Sequence, residues 1–234
     1  MELSEFLNTA RGDEPADRVL RHGRVINVFT GEIIEADIAI VDDTIVGVGP
    51  GEFTTLDEDI TFEAKEEIDL AGRYVCPGLI DAHVHVESSM VTPPYFARAV
   101  LPRGTTTVVS DPHEIANVVG ADGIRYMLDV SDSLPLTLYV MLPSCVPATH
   151  MATAGAELNA DDLVVLRDHP RVRGLAEFMN VPGLVLGDPM AVAKVEAFQD
   201  GVIDGHAPEV RGKWLQAYVG AGPGSDHEST TADE

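Results

Sequence analysis

His83 and His85 stand one residue apart in Pro77–Glu87, which reads Pro-Gly-Leu-Ile-Asp-Ala-His-Val-His-Val-Glu. On a strand, residues i and i+2 face the same way, so the two imidazoles project side by side while Val84 and Val86 take the other face. Two neighbouring imidazoles at a strand end can hold one divalent metal ion. The pair alone is a weak signal, because two polar residues on an exposed strand read the same way. Further polar residues follow at what read as the ends of later strands: Asp111-Pro112-His113-Glu114, Pro143-Ser144-Cys145, Glu177, His206 and His227. Histidines satisfied within a core account for one or two such positions, not for the set, and a metal centre becomes the leading reading. A carboxylate such as Glu177 can bridge two metals with two histidines on either side, and ions about 3.5–4 Å apart can activate a shared water. Imidazole and carboxylate donors suit Zn, Mn and Fe alike. His22, His150 and His169 fall in turns or at a helix end and stand outside the pattern.

The elements that carry these residues read in two parts. Residues 1–16 are polar and predict an arm or short helix. Arg18–Val28, broken at Gly23, Ile33–Val41 and Thr44–Val48 read as strands, with turns at Thr30-Gly31-Glu32 and Asp42-Asp43. They predict a small antiparallel β-domain over 17–74. Gly47, Gly49 and Gly51 do not match G-x-G-x-x-G and sit between turns, which argues against a nucleotide loop. Glu52–Glu67 reads as an acidic surface connection, and Ile68-Asp69-Leu70 and Tyr74-Val75 lead into the strand of His83. Beyond it, helices are expected at Thr92–Leu101, opening on Thr92-Pro93, then at Ile115–Val130, Ala160–Arg167, Asp188–Phe198 and Gly212–Val219. They alternate with strands at Thr105–Ser110, Leu136–Leu142, Val172–Phe178 and Val202–His206, and with a short sixth strand ending at Ser225-Asp226-His227. Such alternation implies parallel βα units with chemistry at the C-terminal rim. The predicted class is α/β, an incomplete (β/α) barrel of about six of eight strands over 75–234. The residues after 75 supply only about five βα units at roughly 30 residues each.

Composition narrows the partners. Asp and Glu number 39 against 15 Lys and Arg, for a net charge of -24, and the only lysines are Lys65, Lys194 and Lys213. Such a surface repels phosphate backbones and anionic membranes, so nucleic-acid and membrane binding are not expected. An acidic, lysine-poor surface suits concentrated salt, where screening removes self-repulsion, and points to a halophilic source. No apolar run reaches the roughly 20 residues of a membrane span, and the acidic N-terminus lacks the features of a signal peptide. Cys76 and Cys145 lie far apart and outside any C-x-x-C pattern, which suits reduced thiols in the cytoplasm.

Five motifs together resemble one family. They are His83-Val84-His85-Val86-Glu87-Ser88-Ser89-Met90, Asp111–Val118, Met141–Thr149, Asp204-Gly205-His206-Ala207-Pro208 and Ser225-Asp226-His227-Glu228-Ser229. From about Asp17 to its last residue the sequence resembles adenine deaminases, a branch of the metal-dependent amidohydrolase superfamily. The Glu-Ser-Ser-Met continuation and the Asp-Pro-His-Glu run are the specific marks. The resemblance implies His83, His85, His206 and His227 as metal ligands and Glu177 as bridging carboxylate, with two ions, typically Mn or Fe. Glu87, Ser89, His113 and Glu114 would lie beside the site, toward substrate or behind the ligands. The implied reaction is adenine plus water giving hypoxanthine and ammonia: an activated water attacks C6 and an acid helps ammonia leave. The family also has an Asp after its last barrel strand that moves the proton, and no matching strand is found here, so the catalytic residue stays unassigned. Ser229–Glu234 reads as a helix start with an acidic first turn. These features lead to the expectation of a chain truncated before the last barrel strands. Such a chain would deaminate adenine poorly by itself, and would pair with a second chain completing the barrel or with copies of itself. A metal-binding fragment without activity, or another amidohydrolase of cyclic amidines or amides, remains as the alternative.

Overall fold

The computed structural model describes residues 1–49 and 61–232. The chain divides into two compact units, Met1–Pro77 and Gly78–Glu234. The first holds helix α1 (Leu3–Ala10) and strands β1 (Ala16–Ile26), β2 (Ile33–Val41), β3 (Thr44–Gly49), β4 (Ala64–Asp69) and β5 (Tyr74–Val75). The sheet runs β3-β2-β1-β4, with β5 also on β1. The three expected strands pair antiparallel, as β1 with β2 and β2 with β3. Strands β4 and β5 add parallel pairs to β1, so the sheet is mixed rather than antiparallel throughout.

The expected break at Gly23 is a bulge: the register shifts between Leu20 and Gly23, and His22 takes a φ of 57°. Ala64–Glu67 were expected within an acidic connection, yet they form most of β4. Their charges are matched across the pair with β1: Arg18 Nη2 meets Glu66 at 2.9 Å and Arg21 Nη2 meets Glu67 at 2.5 Å. Lys65 Nζ meets Asp17 at 2.7 Å. Gly51 and the rest of that connection through Ile60 lie outside the described residues. A small core of Ala16, Val19, Ala39, Val41, Val46 and Phe62 closes the unit.

The second unit alternates strands and helices. Its strands are β6 (Leu79–Val84), β7 (Thr105–Ser110), β8 (Thr137–Leu142), β9 (Val172–Phe178) and β10 (Val202–Gly205). Its helices are α2 (Pro93–Val100), α3 (His113–Val119), α4 (Ala121–Ser131), α5 (Ala160–Val164), α6 (Val181–Leu186), α7 (Pro189–Glu196) and α8 (Gly212–Ala221). The five strands form one sheet in the order β10-β9-β8-β7-β6, with every pair parallel. This is the incomplete (β/α) barrel that the alternation predicts, with one strand fewer than expected. Val108, Leu138, Val140, Leu142, Leu175, Phe178 and Ile203 from the sheet form a core with Ile124, Met127, Leu128, Phe198 and Tyr218 from the helical layer.

Three local differences have physical causes. The expected sixth strand at Ser225–His227 is irregular, and its approach lies beside β10 through a hydrogen bond from the Gly224 N–H to the Ile203 carbonyl at 3.0 Å. The expected helix from Ile115 to Val130 is two helices, α3 and α4, divided at Gly120, whose φ is 66°. Helix α5 starts one residue after Asn159, which makes a capping box with Asp162, and stops at Val164, short of Arg167. Asp233 and Glu234, the acidic end of the expected C-terminal helix start, lie outside the described residues. Among the described residues no helix is long and apolar enough to cross a membrane.

Candidate metal centre

Strand alternation turns Glu177 of β9 to the inner side of the sheet, away from Phe178 in the core. The β8 end holds the backbone at this point: Ser144 Oγ and Cys145 Sγ donate to the Glu177 carbonyl at 2.5 Å and 3.0 Å. Lys194 of α7, itself buried, donates to the Ser144 carbonyl at 2.8 Å. Burial pushes the Cys145 thiol up to about 12, so it stays protonated and is a hydrogen-bond donor here rather than a ligand.

The Glu177 carboxylate, 2% exposed, is the meeting point. Its Oε1 lies 3.1 Å from His113 Nδ1 and 3.5 Å from His85 Nε2. Its Oε2 lies 2.6 Å from His206 Nδ1 and 3.0 Å from His227 Nε2. Two rings thus address each oxygen. Burial alone would raise this carboxyl, but hydrogen bonds from His113 and His206 outweigh it and hold it down at about 2. Burial likewise opposes charge on His113, and hydrogen bonds to Asp111 and Glu177 reverse the effect, raising it to about 10.

His83 and His85, at the end of β6, bring their Nε2 atoms within 3.1 Å of each other. His83 also stacks on His227, with ring centroids 3.6 Å apart. The outer nitrogens are anchored: His85 Nδ1 to the Asp111 carbonyl at 2.8 Å and His83 Nδ1 to Asp204 Oδ2 at 2.9 Å. Asp111, 1% exposed, accepts from His113 Nδ1 at 2.9 Å, and its Oδ1 is buried without a partner among the described residues.

All five residues expected as ligands are therefore brought together: His83, His85, Glu177, His206 and His227. Of the four expected beside them, His113 joins the cluster. Glu114 accepts from Ser88 Oγ, Glu87 Oε1 accepts from the Ile115 N–H at 3.2 Å, and Ser89 Oγ donates to the Val86 carbonyl at 2.5 Å. Glu87 and Ser89 lie in the helical turn after β6 and Glu114 in the first turn of α3, and none of the three touches Glu177 among the described hydrogen bonds. Asp111 and Asp204 were not singled out from the sequence. A shared signal existed: each stands two residues before a site histidine, in Asp-Pro-His and Asp-Gly-His.

The donor set fits a divalent cation. Donor atoms of His85, Asp111, His113 and Glu177 lie within 4.8 Å of one another, as do those of His83, Glu177 and His227. Facing imidazole nitrogens at 3.1 Å need a proton or a cation between them, and the buried Asp111 Oδ1 has no hydrogen-bond donor among the described residues.

Comparisons with known proteins agree with this architecture. Over 232 residues the chain is 55% identical to an adenine deaminase of Cereibacter sphaeroides, covering 99% of this chain and 39% of that protein. It is 51% identical to an adenine deaminase of Brucella anthropi, with the same coverage. It spans about two-fifths of the length of these curated relatives. Among solved structures, N-acyl-D-glutamate deacylase of Bordetella bronchiseptica, determined with zinc and a phosphonate inhibitor, superposes with a TM-score of 0.55 at 18% identity. That match covers 94% of this chain and 53% of the deacylase, and it supports the fold. Residues 74–234 match the model of the amidohydrolase family, and the chain belongs to that family.

Proposed function

We propose that this chain is the metal-binding part of an adenine deaminase-type hydrolase, which converts adenine and water into hypoxanthine and ammonia. The observation that carries the reading is the Glu177 carboxylate, with two rings at each oxygen at the C-terminal ends of parallel strands. The 51–55% identity to proteins named adenine deaminase supports the choice of substrate.

In this reading His83, His85, His206 and His227, together with the Glu177 carboxylate, would hold two divalent ions. The resemblance to adenine deaminases points to Mn or Fe, and the imidazole and carboxylate donors suit Zn as well. When bound, the metal supplies Lewis-acid polarisation and lowers the pKa of a nearby water. The chain's own residues orient that chemistry. Glu177 stays ionised, pinned by Ser144 and Cys145 through its carbonyl, and the Nδ1 anchors of His83 and His85 leave their Nε2 atoms facing inward. Glu87, Ser89, His113 and Glu114 serve the substrate or support the ligands from the turn after β6 and the start of α3. The acidic, lysine-poor surface fits a halophilic cytoplasm.

Ammonia release from adenine with added Mn is the test. It is run on the chain alone and on the chain mixed with the C-terminal remainder of a related adenine deaminase, which supplies further barrel strands. Release by the mixture that falls at least about 100-fold in Glu177→Gln supports the reading. A mixture that assembles and holds metal but releases no ammonia from adenine contradicts it.

A further inference from the structure

Asp204 lies between elements that are distant in sequence. It sits on β10 with Ile203 and Gly205 turned the other way and buried. Its Oδ2 accepts from His83 Nδ1 at 2.9 Å and lies 3.3 Å from His227 Nδ1. Its Oδ1 accepts from Ser225 Oγ at 2.7 Å and from the Gly205 N–H at 3.0 Å. One carboxylate therefore faces the outer nitrogens of two stacked imidazoles, one from the β6 end and one from the segment after α8.

The consequence is a choice of tautomer. A carboxylate accepts and cannot donate, so His83 must place its proton on Nδ1, whereas His227 faces a carboxylate at both nitrogens, Asp204 at Nδ1 and Glu177 at Nε2. The Nε2 of His83 then keeps its lone pair and points inward, toward His85. The same carboxylate ties down the segment carrying His227, which forms no strand pairing of its own. Burial raises the Asp204 carboxyl, but hydrogen bonds from His83 and Ser225 outweigh it and lower its pKa.

We propose that Asp204 is the positioning residue of the centre, fixing His83 in the Nδ1-protonated form that leaves its Nε2 free to bind metal, with His227 stacked on that ring. The proposal rests on the metal-centre reading above. Asp204→Asn is the informative variant, because it keeps the shape of the side chain. An amide can turn its NH₂ toward Nδ1 and so favour the Nε2-protonated tautomer, which cannot ligate.

The test has two arms on the 234-residue chain. Mn or Zn affinity, measured against a competing chelator, is expected to fall about 10- to 100-fold in Asp204→Asn. In Ser225→Ala, which removes the tether but not the acceptor, it is expected to change less than about threefold. Independently, ¹⁵N spectra of the metal-free wild type are expected to show His83 protonated on Nδ1. A His83 protonated on Nε2 alone in the wild type overturns the proposal, whether or not the variant folds. So does an Asp204→Asn protein, folded by circular dichroism, with wild-type affinity. A wild type that binds no metal but shows His83 protonated on Nδ1 counts against the metal-centre reading instead, which separates the two failures.

Discussion

The buried polar set around Glu177 is dominated by imidazoles. A lone buried carboxylate would be protonated, whereas hydrogen bonds from His113 and His206 keep Glu177 ionised. Cys145 shows the opposite outcome. Its thiol is buried and faces a carbonyl, so no positive partner offsets desolvation and its pKa rises to about 12. Reactivity follows the thiolate. Cys76 is exposed and Cys145 buried, so a thiol reagent at pH 8 is expected to label one cysteine per folded chain within minutes. The second should react only on denaturation. Fast labelling of Cys145 in the folded chain would show that the β8 end is open, leaving the Glu177 carbonyl without its anchor. Five of the residues at this centre were readable from type and spacing, because strand-end histidines recur at the length of a βα unit. Asp204 was not, since its role depends on His83, which lies 121 positions away in the sequence.

Strands were legible where β-branched runs end in turn residues, as at Thr105–Ser110. They were hidden where tertiary pairing overrides composition. Ala64–Glu67 reads as a solvated acidic run, and it is a strand because Arg18 and Arg21 balance its carboxylates across the pair while its own Lys65 meets Asp17. Helix α6 was not anticipated because Pro182 and Gly183 lie inside it. Here proline occupies the first turn, where its missing N–H costs nothing, and Asn180 caps the helix by accepting from the Gly183 N–H at 3.0 Å. Ser225–His227 reads as a strand, yet it docks through side chains: besides Ser225 on Asp204, Asp226 Oδ1 accepts from the Ala207 N–H at 2.9 Å. That docking requires a glycine at 205, where an added Cβ would stand 2.2 Å from the Ser225 carbonyl oxygen. Gly205→Ala is therefore expected to cost about 1–3 kcal/mol, read from the denaturant midpoint, and to weaken metal binding. Gly220→Ala on α8, where nothing lies within 4 Å of the added carbon, should be neutral or gain up to about 1 kcal/mol. Equal effects of the two substitutions would mean that the His227 segment is not held against β10.

Charge and open sheet edges dominate the behaviour of the molecule as a whole. Among the described residues β6 and β10 are edge strands, and Leu79, Ile80 and Val202 on them are 57%, 67% and 57% exposed. Unpaired parallel edges invite association with another chain. A net charge of -24 opposes both compaction and association at low ionic strength, and screening relieves it as the Debye length shrinks to about 3 Å at 1 M salt. The melting temperature is therefore expected to rise across a KCl series from dilute buffer to molar salt, and a melting temperature independent of KCl would contradict a surface adapted to salt. The histidines and Glu177 at the strand ends are the reason for reading this chain as an enzyme component at all, and their metal content tests that most directly. Elemental analysis after exhaustive dialysis, at a salt concentration where both proteins are folded by circular dichroism, compares wild type with His83→Ala/His85→Ala. The wild type is expected to retain divalent metal and the double variant to lose most of it; equal metal content in the two proteins would contradict the metal centre.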